Sequence, residues 1–534
     1  MAPRCAAVRR SPASSPEPGA EARALTGEPA PSDDQARSRS TGLLRGLFSD
    51  AAVYGLGGVA NQAVAILLVP LYTHALGTDG YGVLGIVNPT LSLLLMIGGL
   101  ALPQAFFRWY LKESRGERDR ARVVAATLGL RLLASGIAFL GSLLIVVPLA
   151  TFLFSGDPLG PGDVLPAFLL IAPVVLFDSI ATIPLSFLRA ERRPASYGIV
   201  SFTRALLGSA LIVVAVVVLQ LGVTGVVLGS AIAAGVSLWV GIEAMRRAGV
   251  LRITWDAPLA RAMLGFSLPL VPAAIAGWTL NLSDRYFLAT IGPPAEGLTV
   301  TGTVGIYALG YTVGLIINAL LVQPFGLAWG AAYWEIAKRP DAPLAFRRVL
   351  TAFVVLATLV ATGLATLGTD AVRWFAAPGF ELARYVIPFS AFAYIGYGMY
   401  TILTTGLNLE SQTRRVPLVI GAAAIANVAL NVALIPFLGF MGAALSTLLS
   451  YGLLAVLAGF VTQRVYPVPW DLPRVAAALA IGGALSAAAL VGPDHILWRL
   501  ACLVAYLPLL VLVRVADLDD LRGVLSLLRR PGSA

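Results

Sequence analysis

The chain has 534 residues, 58% hydrophobic and 12% charged, with a formal net charge of +10. A soluble domain carries about a quarter charged residues, so this composition excludes a soluble globular protein and indicates a polytopic membrane protein. Two cysteines (Cys5, Cys502) and two histidines (His74, His495) are too few and too scattered for a disulfide framework or a histidine metal centre.

Lipid offers the backbone no water, so only helices or a closed barrel can span it. The apolar runs are about 20 residues long and lack a two-residue alternation, which selects helices. Residues 1–45 are rich in Ala, Pro, Ser, Arg and Glu with no hydrophobic centre, and are expected to be a disordered cytoplasmic tail. Fourteen spans are expected after it: 51–71, 83–103, 123–150, 164–188, 198–219, 224–244, 264–284, 304–328, 349–368, 385–407, 416–438, 441–461, 475–491 and 496–513.

With the amino terminus inside, the cytoplasmic segments hold 32 of the 38 Lys and Arg. The outer segments hold Arg285, Arg373 and Arg384, and the spans hold Arg131, Arg204 and Arg499. This asymmetry puts both termini in the cytoplasm. It also assigns the net positive charge to membrane topology, not to nucleic acid. The outer loops are short, and none is long enough to fold as a catalytic domain.

An internal repeat is visible. Leu221-Gly222-Val223-Thr224-Gly225-Val226-Val227-Leu228 and Leu438-Gly439-Phe440-Met441-Gly442-Ala443-Ala444-Leu445 share one Leu-Gly-x-x-Gly-x-x-Leu pattern, 217 positions apart. The outer loop at 76–82, LGTDGYG, echoes the one ending in Gly305-Ile306-Tyr307. Six spans per half in the same orientation describe a parallel repeat with a substrate path between the halves. The expected fold is an all-α polytopic membrane protein of about 14 transmembrane helices, in two pseudo-symmetric six-helix lobes plus two C-terminal helices. The lobes are placed at 46–248 and 249–466. Residues 467–534 hold the extra helices and a cytoplasmic tail.

Several stretches together resemble the Wzx-type oligosaccharide flippases, in the superfamily that also holds the MATE exporters and lipid II flippases. They are VPLYTHALGTDGYG at 69–82, Leu102-Pro103 followed by FFRWY at 106–110, SDRYFLA at 283–289 with GIYALGY at 305–311, and NVALNVALIPFLGFMGAALST at 427–447. The resemblance covers nearly the whole chain from about residue 45. It implies a protein of the bacterial cytoplasmic membrane that moves undecaprenyl-pyrophosphate-linked oligosaccharide between leaflets. Membrane lipids, a glycan polymerase and glycosyltransferases are the implied partners. No cofactor is implied, and coupling to H+ or Na+ is left unassigned.

Arg131 and Arg204 each lie about eight residues inside a span, roughly 12 Å from its cytoplasmic end, and Asp178 lies roughly 15 Å deep. A charge facing lipid costs ~3 kcal/mol or more, so these three are expected to face a cavity or one another. As a cationic patch they would receive a pyrophosphate, which guanidinium groups bind in a bidentate way. As a structural cluster they would lock helices together. Asp284 and Arg285 close the seventh span, as a gate or substrate contact at the outer mouth, or as an interfacial pair with Arg285 snorkelling. Asn61 and Gln62 in the first span, and Asn318 with Gln323 in the eighth, are candidates for sugar hydroxyls, against the commoner role of tying helices together. Asn427 and Asn431 sit at i and i+4, with helix–helix bonding as their expected role.

There is no Walker A motif and no loop with paired carboxylates, so neither an ATPase nor an enzyme is expected. The competing readings are a cation-coupled MATE-like drug exporter, a lipid II flippase, and a membrane glycosyltransferase or polymerase.

Overall fold

The computed structural model describes residues 68–513. The expected amino-terminal tail, Asn61, Gln62, most of the first span and the basic segment from Arg514 lie outside the described residues. Among the described residues there are helices and no strands. Within those residues eleven helices are long and apolar enough to cross a membrane: α1 (Leu68–Glu113), α2 (Glu117–Phe154), α3 (Pro161–Ala190), α4 (Pro194–Val218), α5 (Gly222–Arg247), α6 (Ala257–Leu282), then, after the short α7 (Asp284–Ile291), α8 (Val300–Ile336), α9 (Ala342–Phe375), α10 (Glu381–Leu409), α11 (Thr413–Gln463) and α12 (Leu472–Val491). The apolar α13 (Ile496–Leu512) follows with 17 residues.

The expected spans map onto these helices. α1 contains the end of the first span and all of the second, with Gly77 at φ +65° between them. α11 contains the eleventh and twelfth, folded over at Gly439, where φ is +56° and ψ −134°. In the first half α2, α3 and α5 pack together with α4 against α5. In the second, α10 packs on α8, α9 and α11, and α6 on α11.

The repeat has a physical basis at its corners. Gly222 and Gly439 both take a left-handed φ, +54° and +56°, that a side chain rarely adopts. The second glycine of each motif then meets the carbonyl of the helix just completed. A Cβ on Gly225 would lie 3.1 Å from the Ala215 oxygen, and one on Gly442 would lie 2.6 Å from that of Leu434. At the arginine-rich end a second correspondence appears. Asp256 and Asp471 cap α6 and α12 by accepting from the backbone N–H of Leu259 and Arg474. Each also receives an arginine from the helix that opens with it, Arg122 on α2 at 2.6 Å and Arg347 on α9 at 2.7 Å. Those guanidinium groups hold both carboxyls below their ordinary range.

The two bundles are joined at both ends: at the arginine-rich end by Arg122 on Asp256 and by the Thr254 N–H on the Ala125 carbonyl at 3.2 Å, and at the far end by close backbone contact. Gly82 of α1 faces α8, where a Cβ would fall 1.9 Å from the Thr301 carbonyl oxygen. Gly305 faces back, with a Cβ only 2.2 Å from the Thr78 oxygen. These are the glycines of the two echoing loops, and their lack of side chains lets the backbones touch. Asp157 accepts from the Thr301 backbone N–H at 3.1 Å and from its hydroxyl at 2.6 Å. Asp79 accepts from the Thr299 hydroxyl, which itself caps α8 by accepting from the Gly302 N–H. Two carboxylates of the first bundle thus sit on the positive end of a second-bundle helix. Thr90 meets the Tyr286 hydroxyl at 2.6 Å, and Trp278 donates to the Pro89 carbonyl at 3.2 Å and to Ser92 at 3.0 Å.

The α12–α13 hairpin is held to α9. Buried Arg499 donates to Asp370 at 2.5 Å and also reaches Asp494, which Arg373 grips as well. At mid-height Gly482 lies against Thr358 and Thr362 of α9.

Candidate functional site

The charged residues expected inside the spans are all present, but their bonds do not gather them into one patch. Arg131 is 1% exposed on α2. Its Nε donates to the Ser179 carbonyl at 2.6 Å, and its Nη1 to the carbonyls of Gly99 at 2.8 Å and Gly98 at 3.3 Å. A guanidinium held by three backbone oxygens in the helix packing does not present itself to an anion. The bonds Arg131 makes through Nε and Nη1 are thus to the backbone. An Arg–Asp–Arg cluster does not form either, because Arg131 binds the main chain of Ser179 and not the Asp178 carboxylate.

Arg204 and Asp178 do pair. Arg204 Nε and Nη2 donate to the two carboxylate oxygens, each at 3.0 Å, in the parallel fork geometry. The arginine sits in a π-helical turn, Thr203–Leu207, and wide turns of this kind often mark functional positions. The side chains keep 31% and 24% of their surface exposed. A charged pair within spans is tolerated where its charges satisfy each other, and this one also keeps part of its surface open. That separates it from Arg131, which is sealed.

Asp284 and Arg285 are 1% and 5% exposed, so the snorkelling arrangement is not adopted. Arg285 donates to Asp284 at 2.9 Å and to the Asn281 carbonyl at 3.2 Å. Its guanidinium lies 4.5 Å from the centre of the Tyr311 ring and 5.5 Å from that of Tyr307. Asp284 also accepts from the Tyr307 hydroxyl and, at 3.1 Å, from Thr447. Tyr311 and Tyr394 both donate to the Asn281 side-chain oxygen, at 2.6 and 2.8 Å. The pair is thus the centre of a buried polar network joining α6, α7, α8, α10 and α11. The tyrosines and Thr447 went unread in the sequence. Tyr307 stood in the quoted GIY motif, but nothing local tied it to an aspartate 23 positions away.

Asn427 and Asn431 behave as expected. Asn431 donates to Asn427 at 3.1 Å, and Asn427 donates to Ser450 at 3.2 Å across the fold of α11. Asn318 opens another of the four π-helical turns among the described residues, Asn318–Val322. Its amide oxygen is buried without a hydrogen-bond partner among the described residues. Gln323 is exposed one turn on. The carboxylates Asp79 and Asp157 at the far-end junction were not singled out. Asp157 and Thr301 are 144 positions apart, so only the three-dimensional structure joins them. Among the described residues no group of three or more His, Cys, Asp or Glu could hold a metal.

Against known proteins, the profile of the family described as "Polysaccharide biosynthesis protein" matches residues 47–329. An Lsg locus protein of Haemophilus influenzae is 21% identical over 300 residues, covering 55% of this chain and 67% of its own length. Among solved structures, a lipid II flippase MurJ in an inward closed conformation superposes with a TM-score of 0.65 at 13% identity, over 87% of this chain and 97% of its own. An inward-facing multidrug resistance MATE transporter gives 0.60 at 13% identity, over 76% and 94%. The fold is that of membrane flippases and exporters.

Proposed function

Because the chain belongs to the polysaccharide biosynthesis protein family, we propose that it carries an undecaprenyl-pyrophosphate-linked oligosaccharide across the cytoplasmic membrane by alternating access between its two bundles. The positive-inside rule puts the arginine-rich end in the cytoplasm. The far end, closed by Gly82, Gly305, Asp79 and Asp157, is then the outer gate. The observation that carries the reading is the Arg204–Asp178 pair, a phosphate-type binder kept partly open inside the membrane. The pyrophosphate of the cargo displaces Asp178 as the partner of Arg204 when the cleft faces inward. Asn318 and Gln323 remain candidates for sugar hydroxyls, supported by the exposure of Gln323 and by the amide oxygen of Asn318, unpaired among the described residues. The isoprenoid tail remains in lipid, and an apolar groove of about 760 Å³ between the second bundle and α12 suits it, walled by Phe392, Met399, Val456, Phe460, Trp470 and Leu479.

The test is leaflet-resolved transport in proteoliposomes offered three cargoes: a polyprenyl-pyrophosphate oligosaccharide, lipid II, and a cationic dye. Movement of the first, well above the other two, is expected. Preference for lipid II or for the dye replaces this reading with the corresponding alternative. Elongation or transfer of glycan by the purified protein would make it an enzyme.

A further inference from the structure

We propose that Arg131 is a positioning residue that holds a break in α1, and that this break sets how the outer half of α1 meets the second bundle. The break lies at Leu100 and Ala101, both left-handed at φ +49°. Neither is glycine, so the conformation is strained for each of them. Pro103 follows at the start of the next helical segment, Leu102–Arg108. A proline has no N–H, so the Gly99 carbonyl loses the donor that a continuous helix would give it. The left-handed pair takes the Gly98 carbonyl out of the helical ladder as well. Within a membrane such carbonyls have no water to turn to. Arg131 reaches across from α2 and donates to both, at 2.8 and 3.3 Å. The same guanidinium ties them to α3 through Ser179. The negative end of the 68–99 helix meets the charge, which explains how an arginine 1% exposed sits here without a carboxylate.

The break separates two jobs. Its outer side carries Gly82, Gly85 and Thr90, which contact the second bundle at the far end. Its inner side carries Phe106, in the core of the first bundle, and Arg108 and Trp109, which meet the second bundle at the opposite end through Phe266 of α6. Fixing the angle between the halves fixes which far-end surface α1 offers. The link to transport rests on the flippase reading; the backbone role does not.

The experiment uses the full chain in membranes with Arg131→Gln, Ala101→Gly, and the two combined. Glycine relieves the strain at 101 without restoring the charge. Three readouts are taken: thermal stability, thiol labelling of a far-end cysteine at Thr303, and glycolipid transport. Arg131→Gln is expected to lower the melting temperature, expose the far-end thiol, and cut transport about tenfold, the scale of one or two unsatisfied carbonyls. Ala101→Gly alone should be close to wild type, and the double variant should recover most of all three. Wild-type behaviour of Arg131→Gln overturns the proposal. So does a double variant with no recovery, or one that regains stability but not transport, which would put Arg131 on the cargo. Should Arg131→Gln fail to insert, recovery of folded protein in the double variant supports the proposal and its absence overturns it. If the wild-type chain moves no glycolipid, the flippase reading falls while stability and labelling still decide the role of Arg131.

Discussion

Arg131 on the spanning α2 and Arg285 on the short α7 are both buried guanidinium groups, and they are neutralised in different ways. Arg131 has three backbone carbonyls and a helix end. Arg285 has a carboxylate and two tyrosine rings. The first arrangement follows from a proline and a pair of left-handed residues that leave carbonyls unsatisfied. The second is a side-chain network whose members depend on one another. A buried arginine in a membrane protein therefore marks a local need for charge or for donors, and that need is not always a ligand's. Arg204 differs from both because part of it is open, and openness is what a binding role requires.

The largest effect should come from Asp284→Ala, which leaves Arg285 buried beside empty space. Breaking one partner of such a pair costs about 3–5 kcal/mol, so folded protein should fall sharply in a detergent melting assay. A double Asp284→Leu, Arg285→Met variant should recover much of it, and failure to recover would show that Arg285 has a further task. Next is Gly82→Ala. A Cβ so close to the Thr301 oxygen must push the bundles apart, at about 1–3 kcal/mol for overpacking. Far-end thiol labelling should rise, and unchanged labelling would mean that this crossing is not the gate.

Arg204→Ala should change stability by only about 1 kcal/mol, as for a partly exposed pair, yet abolish transport. An equal loss in a variant that merely weakens packing would remove the distinction between Arg204 and Arg131. The smallest expected effect concerns the α12–α13 tether. Arg373 and then Arg499 hold the Asp494 carboxyl down at about 2, below its ordinary 3.8. A depressed value stabilises the fold above the ordinary value and loses that contribution on acidification. Hairpin protection in hydrogen exchange should therefore weaken between about pH 4 and pH 2, and Asp494→Asn should remove that step.

Much of the fold was legible because lipid leaves so few options. Apolar length set the spans, Arg and Lys placement set the alternation of loops, and the paired Leu-Gly-x-x-Gly-x-x-Leu motifs gave the repeat. The structure adds why the motif exists, since Gly222 and Gly439 must turn left-handed and Gly225 and Gly442 must admit a carbonyl. The site was legible only in part. Arg204 and Asp178 could be matched by depth, and they pair. The task of Arg131 depends on carbonyls freed 32 and 33 positions away, which no periodicity reports. Asp157 on Thr301 and Tyr394 on Asn281 are likewise long-range contacts between residues that look ordinary in sequence.

The most direct test is side-resolved labelling at the Arg204–Asp178 position. A chain lacking its native cysteines, with Arg204 and Asp178 intact and Gly208→Cys, whose Cβ would lie 3.4 Å from the Arg204 Nη1, would be treated with a membrane-impermeant thiol reagent from each side in turn. Labelling from the cytoplasmic side, protection from the outer side, and protection from both by added polyprenyl-pyrophosphate oligosaccharide are the results the account predicts. A thiol that reacts from neither side, or one that cargo leaves unprotected, would contradict it.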